Sequence, residues 1–113
     1  MNNIKISDNF NLREFECRHC GVVKLDGHLL EKLQDLRERI GRPLIVTSGY
    51  RCAEHNAAVG GVADSQHVQG TAADLRLPRG MVFQDFLREC IAGGFNFVQG
   101  YPNQGFVHVD VRG

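Results

Sequence analysis

The chain has 113 residues, of which 42% are hydrophobic and 23% are charged, and its thirteen Lys and Arg residues are balanced by thirteen Asp and Glu residues. This length and composition are typical of a globular protein with one core, so we expect a single domain over residues 1–113. The balanced charge argues against nucleic acid or an anionic membrane as the main partner, and no apolar run approaches the roughly 18 residues of a membrane span.

The first half of the chain predicts two helices and a buried strand. The segment SDNFNLREFEC begins with turn-forming residues and leads into a short helix from about Leu12. The clearest helix is DGHLLEKLQDLRERIG, in which Asp26 is a candidate N-cap and Gly41 and Pro43 end the helix. Its apolar face consists of Leu29, Leu30, Leu33, Leu36 and Ile40. The segment PLIVTSGYR then predicts a buried strand that ends near Ser48.

The second half predicts two further helices and three strands. CAEHNAAVGG is a short helix or turn closed by Gly60 and Gly61, and a strand follows at about residues 72–77. RGMVFQDFLRECIAGG is an amphipathic helix that ends at Gly93 and Gly94. FNFVQGYPNQGFVHVDV predicts two strands joined by the turn YPNQG. Together these elements predict an α+β fold: a small antiparallel sheet with helices packed on one side.

Two of these strands carry polar residues on one face. Because side chains alternate along a strand, the three valines of FVHVDVR point to the core, and His108, Asp110 and Arg112 share the other face, towards a cleft or solvent. In AADLRL the two leucines point to the core, and Asp74 and Arg76 share the other face. If these strands are neighbours, about 4.8 Å apart, Asp74 and His108 can meet.

A second histidine can join this pair. His67 precedes Asp74 by seven residues, a stretch that spans more than about 20 Å when extended, so the chain has to turn, and Gly70 permits the turn. Two imidazoles and one carboxylate are a common catalytic zinc set that leaves one position open for water. We therefore predict one Zn²⁺ per chain at His67, Asp74 and His108, which activates water near neutral pH. Taken singly, each of these residues is more typical of a surface side chain or a strand-end cap.

The cysteines allow other interpretations. Disulfides are unexpected if the chain is cytoplasmic. Cys17 and Cys20 form the CxxC motif CRHC, but a structural zinc knuckle needs two more ligands; His19 and His28 are available, and no second CxxC follows. We interpret the pair as ordinary thiols at the end of a short helix, with a CxxC-centred zinc or redox protein as an alternative. Cys90 is interpreted as a core residue.

Four segments in order, TSGYR, HNAAVGG, SQHVQGTAADLR and YPNQGFVHVDVR, resemble the zinc D-Ala-D-Ala carboxypeptidase family, and NFNLREFEC is similar to its compact phage-type branch. The resemblance spans nearly the whole chain and implies the fold that these peptidoglycan peptidases share with the hedgehog signalling domain. It implies that His67, Asp74 and His108 are the zinc ligands. It also implies that Arg51 binds the substrate and the transition-state oxygen and that Ser65 helps to hold the substrate. The alternatives are a loop-ordering ion pair for Arg51 and a turn or cap role for Ser65.

One position departs from the family pattern. Many members carry the general base three residues before the last histidine ligand, where this chain has Gly105. Asp110 is the expected substitute, since it shares a strand face with His108 and some members have the same HVD pattern; it would take a proton from water and pass it to the leaving amine. Its alternative roles are to support the metal ligand His108 by a hydrogen bond from outside the metal site, or to form an ion pair with Arg112.

The resemblance implies a zinc metallopeptidase that acts on stem or cross-link peptides of peptidoglycan, as endolysin-like enzymes do. D-Ala-D-Ala carboxypeptidase, cross-link endopeptidase and L-Ala-D-Glu peptidase activities all fit. The alternatives are a non-catalytic zinc-binding module of the same fold and a virion or assembly component that only binds the cell wall. The start MNNIKISDNF lacks the apolar stretch of a secretory signal, so we expect a protein made in the cytoplasm that reaches the wall after release. We also expect a monomer.

Overall fold

The structure is a computed structural model that describes residues 2–61 and 65–112. Its larger sheet is antiparallel and has four strands: β3 (Val46–Ser48), β4 (Ala72–Arg76), β5 (Phe97–Tyr101) and β6 (Phe106–Asp110). Their order across the sheet is β3-β4-β6-β5, so β4 and β6 are the central strands. A second small sheet pairs β1 (Lys5–Ser7) with β2 (Phe10–Asn11).

The helices begin and end at local signals in the sequence. Their bounds are α1 Gly27–Ile40, α2 Ala53–Ala58, α3 Gln66–Gln69 and α4 Phe83–Ala92, with a short 3₁₀ helix at Leu12–Phe15. The carboxylate of Asp26 caps α1 by accepting hydrogen bonds from the backbone N–H groups of His28 and Leu29, at 2.8 and 3.3 Å. Gly41 ends α1 in the left-handed conformation. The predicted start and end of this helix are therefore confirmed.

The hydrophobic core lies between one face of the larger sheet and the helices α1 and α4. Its fully buried members from these elements are Leu29, Leu33, Leu36, Ala73, Leu75, Phe86, Cys90, Val107 and Val109. Leu77 and Val111, also predicted to point to the core, are only partly buried because each lies just beyond the end of its strand. The opposite face of β4 and β6 carries the polar side chains of Asp74 and His108.

The predicted α+β class and antiparallel sheet are confirmed. β3 is shorter than the predicted strand, and this segment is buried on one face only: Leu44 and Val46 are buried, whereas Ile45 is 47% exposed. The strands β1 and β2 were not predicted; at three and two residues they are too short for an alternating pattern. Within the described ranges, no helix has the length and apolar character needed to cross a membrane.

Candidate metal centre and pocket

The polar face of the sheet brings Asp74 and His108 together. β4 and β6 pair antiparallel, with Asp74 directly opposite His108. Directly opposite side chains lie on the same face of a sheet, and Oδ1 of Asp74 is 3.0 Å from Nδ1 of His108. The condition on which the sequence argument depended, that these two strands are neighbours, is met.

A tight turn adds His67 to this pair. His67 lies in α3 and is 2% exposed, and Gly70 ends this helix in the left-handed conformation with a φ of 76°. The turn brings Nε2 of His67 to 3.2 Å from Oδ1 of Asp74. A Cβ at Gly70 would lie 2.8 Å from Cβ of Lys24, so the turn requires glycine on both backbone and steric grounds. We call His67, Asp74 and His108 the histidine centre.

Each imidazole is held through the ring nitrogen that points away from Asp74. Nδ1 of His67 lies 2.8 Å from the carbonyl oxygen of Gly49, which can only accept, so Nδ1 is the protonated nitrogen. Nε2 of His108 lies 2.8 Å from Oδ2 of Asp110 and donates to it. In the neutral imidazoles, Nε2 of His67 and Nδ1 of His108 are therefore unprotonated, and both face Asp74.

This arrangement fits a divalent cation. Two unprotonated nitrogens and a carboxylate oxygen are all acceptors, and at N···O distances of 3.0 and 3.2 Å they repel one another unless protons or a cation lie between them. Nitrogen and oxygen ligands of one tetrahedral zinc ion are about 3.4 Å apart. The outer hydrogen bonds, to a backbone carbonyl and a carboxylate, are typical of zinc-binding histidines. The histidine centre could therefore hold a metal ion.

The surrounding charges keep the carboxylates ionised. Burial raises the pKa of Asp74, but the hydrogen bonds with His108 and His67 that form when protons lie between the rings and the carboxylate outweigh burial and lower this pKa to about 2. Burial also raises the pKa of Asp110, yet hydrogen bonds from Arg112 and His108 bring it below its ordinary value. Burial lowers the pKa of His108, and its hydrogen bonds to the two carboxylates raise it overall. The site thus supplies the negative charge that a bound dication needs.

Asp110 lies behind His108, and its side chain is fully buried, whereas the strand pattern predicted a residue facing a cleft or solvent. Its Oδ2 accepts from Nε2 of His108 at 2.8 Å and from Nη2 of Arg112 at 2.6 Å. Its Oδ1 accepts from Nε of Arg112 at 2.9 Å. Both carboxylate oxygens are therefore engaged, and these contacts match the alternative roles of Asp110 behind the ligand and in an ion pair.

Arg51 and Ser65 lie beside the histidine centre. Nη2 of Arg51 donates to Oγ of Ser65 at 3.3 Å, and the same Oγ accepts from the backbone N–H of His67, which caps α3. Nε of Arg51 is buried and has no hydrogen-bond partner among residues 2–61 and 65–112. Burial lowers the pKa of Arg51, and the charge of Asp74 opposes this shift. An unsatisfied buried donor is costly, so this guanidinium is suited to bind an oxygen of a ligand.

The histidine centre opens onto a pocket of about 440 Å³, within the range of small-molecule sites. Arg51, Ser65 and Arg112 also line this pocket, together with the aromatic residues Phe97, Tyr101 and Phe106. The guanidinium of Arg112 lies 4.1 Å from the ring centre of Phe97. The pocket therefore combines a candidate metal site, two cations and an aromatic wall.

The aromatic wall was not among the predicted site residues, although the sequence holds a signal for it. Phe97 and Tyr101 alternate along β5, and Phe106 precedes His108 by two residues on β6. The register pairs Tyr101 with Phe106 and Phe97 with Asp110, so all three rings share the face of His108. Apolar residues in a strand are by default assigned to the core, and only the register corrects this assignment.

The structure also gathers a second group of candidate metal ligands. The Sγ atoms of Cys17, Cys20 and Cys52 lie within 4.8 Å of one another, and we call these three residues the cysteine group. Cys52 was not predicted to join the CxxC pair, because it lies in a different part of the sequence. None of the four cysteines, all within the described residues, forms a disulfide. Cys90 is buried in the core as predicted.

An α+β fold with two histidines and one carboxylate at an open pocket is typical of a zinc hydrolase. A sequence profile of the Peptidase M15 family matches residues 8–110, and the chain belongs to this family. The predicted resemblance to the zinc D-Ala-D-Ala carboxypeptidase family is thereby confirmed. Membership indicates a zinc-dependent metallopeptidase with a peptide substrate. A search of curated proteins found no match to the chain.

Proposed function

We propose that the protein is a zinc-dependent peptidase that hydrolyses stem or cross-link peptides of peptidoglycan. Membership in a metallopeptidase family supports the reaction, and the resemblance of the four sequence segments supports the substrate. The observation that carries the proposal is the convergence of three unprotonated or anionic ligand atoms, from His67, Asp74 and His108, at an open pocket beside Arg51.

Each pocket residue has a role in this proposal. His67, Asp74 and His108 bind zinc, which when bound polarises a peptide carbonyl and activates water near neutral pH. Arg51 donates hydrogen bonds to the scissile carbonyl oxygen and stabilises the charge that develops on it. Ser65 orients Arg51 through the 3.3 Å hydrogen bond and contacts the substrate.

Asp110 is the candidate proton acceptor, because Gly105 has no side chain and lies in the turn between β5 and β6. Its contacts support a first role in orientation: by accepting from Nε2 of His108, it keeps Nδ1 directed at Asp74. Proton transfer from water to Asp110 would require Arg112 to release one carboxylate oxygen. We propose the orienting role as the primary one and proton transfer as the role to be tested.

Digestion of purified peptidoglycan by wild type and His67→Ala tests the proposal. We expect the wild type to release products and the variant to lose both activity and the zinc of the histidine centre, measured by mass spectrometry. Free D-Ala would identify a carboxypeptidase, new cross-link amines released from D-Ala without free D-Ala an endopeptidase, and a new D-Glu amine an L-Ala-D-Glu peptidase. A zinc-loaded wild type that releases no product from several wall types would contradict the proposal.

A non-catalytic module of the same fold, which binds zinc or the cell wall, is the second candidate. Gly105 favours it, because many family members carry the general base at this position. Binding to purified wall without cleavage, unchanged in Asp110→Asn, would identify this function.

A further inference from the structure

We propose a second, structural zinc site formed by the cysteine group and His19. It is separate from the histidine centre and uses none of its residues. It would join the segment after the 3₁₀ helix to the start of α2, immediately after Arg51.

The three thiols converge from two distant parts of the chain. Cys17 and Cys20 lie in a turn closed by a 2.9 Å hydrogen bond from the N–H of Gly21 to the carbonyl of Cys17, with Gly21 at a φ of 74°. Cys52 is the N-cap residue of α2. The three Sγ atoms lie within 4.8 Å of one another, and two sulfur ligands of a tetrahedral zinc ion are about 3.8 Å apart. Small side-chain movements therefore suffice for ligation.

His19 is the candidate fourth ligand because of its contact with Cys52. Its Nδ1 lies 3.5 Å from Sγ of Cys52, and a nitrogen and a sulfur ligand of one zinc ion are about 3.6 Å apart. The ring of His19 is nearly parallel to that of His55, with 6.1 Å between their centres. Three cysteines and one histidine are a common structural zinc set.

Backbone donors already point at two of the sulfurs. The N–H of Cys52 donates to Sγ of Cys17, and the N–H of His55 donates to Sγ of Cys52, both at 3.4 Å. Hydrogen bonds to sulfur stabilise the thiolate, which is the form that binds metals. Burial raises the pKa of Cys17, but backbone hydrogen bonds, that of Cys52 foremost, outweigh it and lower this pKa to about 6.

The number of thiols distinguishes a metal site from a redox pair. A disulfide within the cysteine group would use two thiols and leave the third unused, whereas one zinc ion uses all three. His19, which a disulfide does not need, also lies at ligand distance from Cys52. These features together favour zinc over thiol–disulfide chemistry.

The proposed site would stabilise the loop that carries Arg51. Cys52 follows Arg51 directly, and the N–H of Tyr50 donates to the carbonyl of Phe15 at 2.8 Å. The N–H of Arg51 donates to the carbonyl of His67 at 3.1 Å. Zinc bound to Cys17 and Cys52 would thus add a second restraint to this loop, next to its hydrogen bond with His67.

Zinc content of purified protein separates the two sites. The test pair is His67→Ala, which removes a ligand of the histidine centre, and the double variant Cys20→Ala with Cys52→Ser, in which serine preserves a cap for α2. We expect about two zinc ions per wild-type chain, one in each variant and none in their combination. One zinc in wild type and none in His67→Ala would overturn the proposal, and so would two in the cysteine variant.

Cobalt tests the ligand type in protein that retains the native cysteines. We expect Co²⁺ added to zinc-free His67→Ala to give thiolate-to-cobalt charge-transfer absorption. His19→Ala should weaken cobalt binding at least tenfold, whereas His28→Ala, an exposed histidine on α1, is the matched control and should leave it unchanged. Absence of the charge-transfer band would overturn the site, and loss in His55→Ala instead of His19→Ala would overturn the assignment of the fourth ligand. Because these measurements do not use catalysis, they stand whether or not the protein is a peptidase.

Discussion

The two histidines of the histidine centre face Asp74 with different ring nitrogens. His67 uses Nε2 because its Nδ1 donates to the carbonyl of Gly49. His108 uses Nδ1 because its Nε2 donates to Asp110. The outer partner of each ring therefore selects the nitrogen that is free for a metal. Gly49 does so through its backbone, so only the partner of His108 can be removed by substitution.

Asp110→Asn tests how much this outer partner contributes. Asn keeps the size of the side chain but removes the charge that His108 and Arg112 share, so we expect zinc affinity of the histidine centre to fall roughly 10–100-fold. Competition with a chromophoric chelator measures this affinity, in a background that lacks Cys20 and Cys52 so that one site is observed.

The same variant separates orientation from general base catalysis. If Asp110 acts only as the proton acceptor, zinc affinity stays at the wild-type value while turnover falls by about 10²–10⁴-fold. An unchanged affinity would therefore contradict the orienting role. An unchanged affinity together with an unchanged turnover would contradict both roles.

At the scale of elements, the turn between α3 and β4 determines whether His67 reaches the sheet. Gly70 ends α3 in the left-handed conformation, as Gly41 does for α1. The two caps differ in their surroundings: a Cβ at Gly70 would lie 2.8–2.9 Å from Lys24, whereas at Gly41 no heavy atom of the described residues lies within 4 Å. The two glycines thus form a matched pair for substitution.

Gly70→Ala is expected to be more destabilising than Gly41→Ala. Both variants incur about 1–2 kcal/mol for a left-handed alanine, and Gly70→Ala adds the clash with Lys24. Because that clash displaces α3, it should also weaken zinc binding at the histidine centre, which Gly41→Ala should leave unchanged. Urea denaturation and chelator competition measure the two effects. Equal losses of stability would contradict the steric argument.

The helix α4 carries a buried thiol that links stability to alkaline pH. Burial raises the pKa of Cys90 from 9.0 to about 12, with a smaller contribution from Glu89. A raised pKa means that the folded protein holds the thiol proton more tightly than the unfolded chain. The stabilisation is therefore fully present below about pH 9 and is lost as the pH rises towards 12.

Cys90→Ala should remove this part of the pH dependence. We expect a lower stability at neutral pH because a cavity forms, and a shallower loss of stability above pH 9 than in wild type. Denaturant unfolding at about pH 8 and about pH 10.5 measures the difference in the free energy of unfolding between wild type and the variant. A difference that stays constant between these two pH values would show that Cys90 does not contribute to alkaline sensitivity.

At the scale of the whole molecule, the two faces of the larger sheet have different roles: one face forms the hydrophobic core and the other carries the candidate functional site. One face of β4 and β6 packs on α1 and α4, and the other carries the histidine centre and the aromatic wall. The loop with Arg51 lies between the two candidate metal groups, in hydrogen-bond contact with His67 and adjacent to Cys52. Metal binding should therefore affect the stability of the molecule as well as its activity.

Removal of zinc is expected to lower the unfolding temperature. A ligand that binds only the folded state stabilises it by about 2.7 kcal/mol when its free concentration is 100 times its Kd. For a chain of this size that corresponds to a shift of roughly 10 °C or more. The shift is measured by thermal unfolding of the zinc-loaded protein, of the protein after chelation, and of the chelated protein after zinc or magnesium is added back. Recovery with magnesium, which prefers oxygen ligands, would contradict a site of histidines and cysteines.

Local patterns in the sequence alone predicted several elements of this protein and the core-facing residues of two strands. Helical spacing and caps predicted α1, and alternation along β4 and β6 predicted which residues face the core. The same alternation, with the turn at Gly70, made His67, Asp74 and His108 a candidate zinc set on the condition that β4 and β6 are neighbours. These features depend on contacts within a few residues or on a period that the sequence itself displays.

Only the tertiary structure decided the features that depend on distant pairing. The strand order makes β4 and β6 neighbours and adds β5, whose register turns Phe97 and Tyr101 towards the pocket. Asp110 is buried where β4 and β5 flank β6 on both sides, and Cys52 meets the CxxC pair because the loop after β3 packs on the segment after Phe15. These contacts depend on segments that are far apart in the sequence and meet only in the folded chain, so no local sequence pattern predicts them.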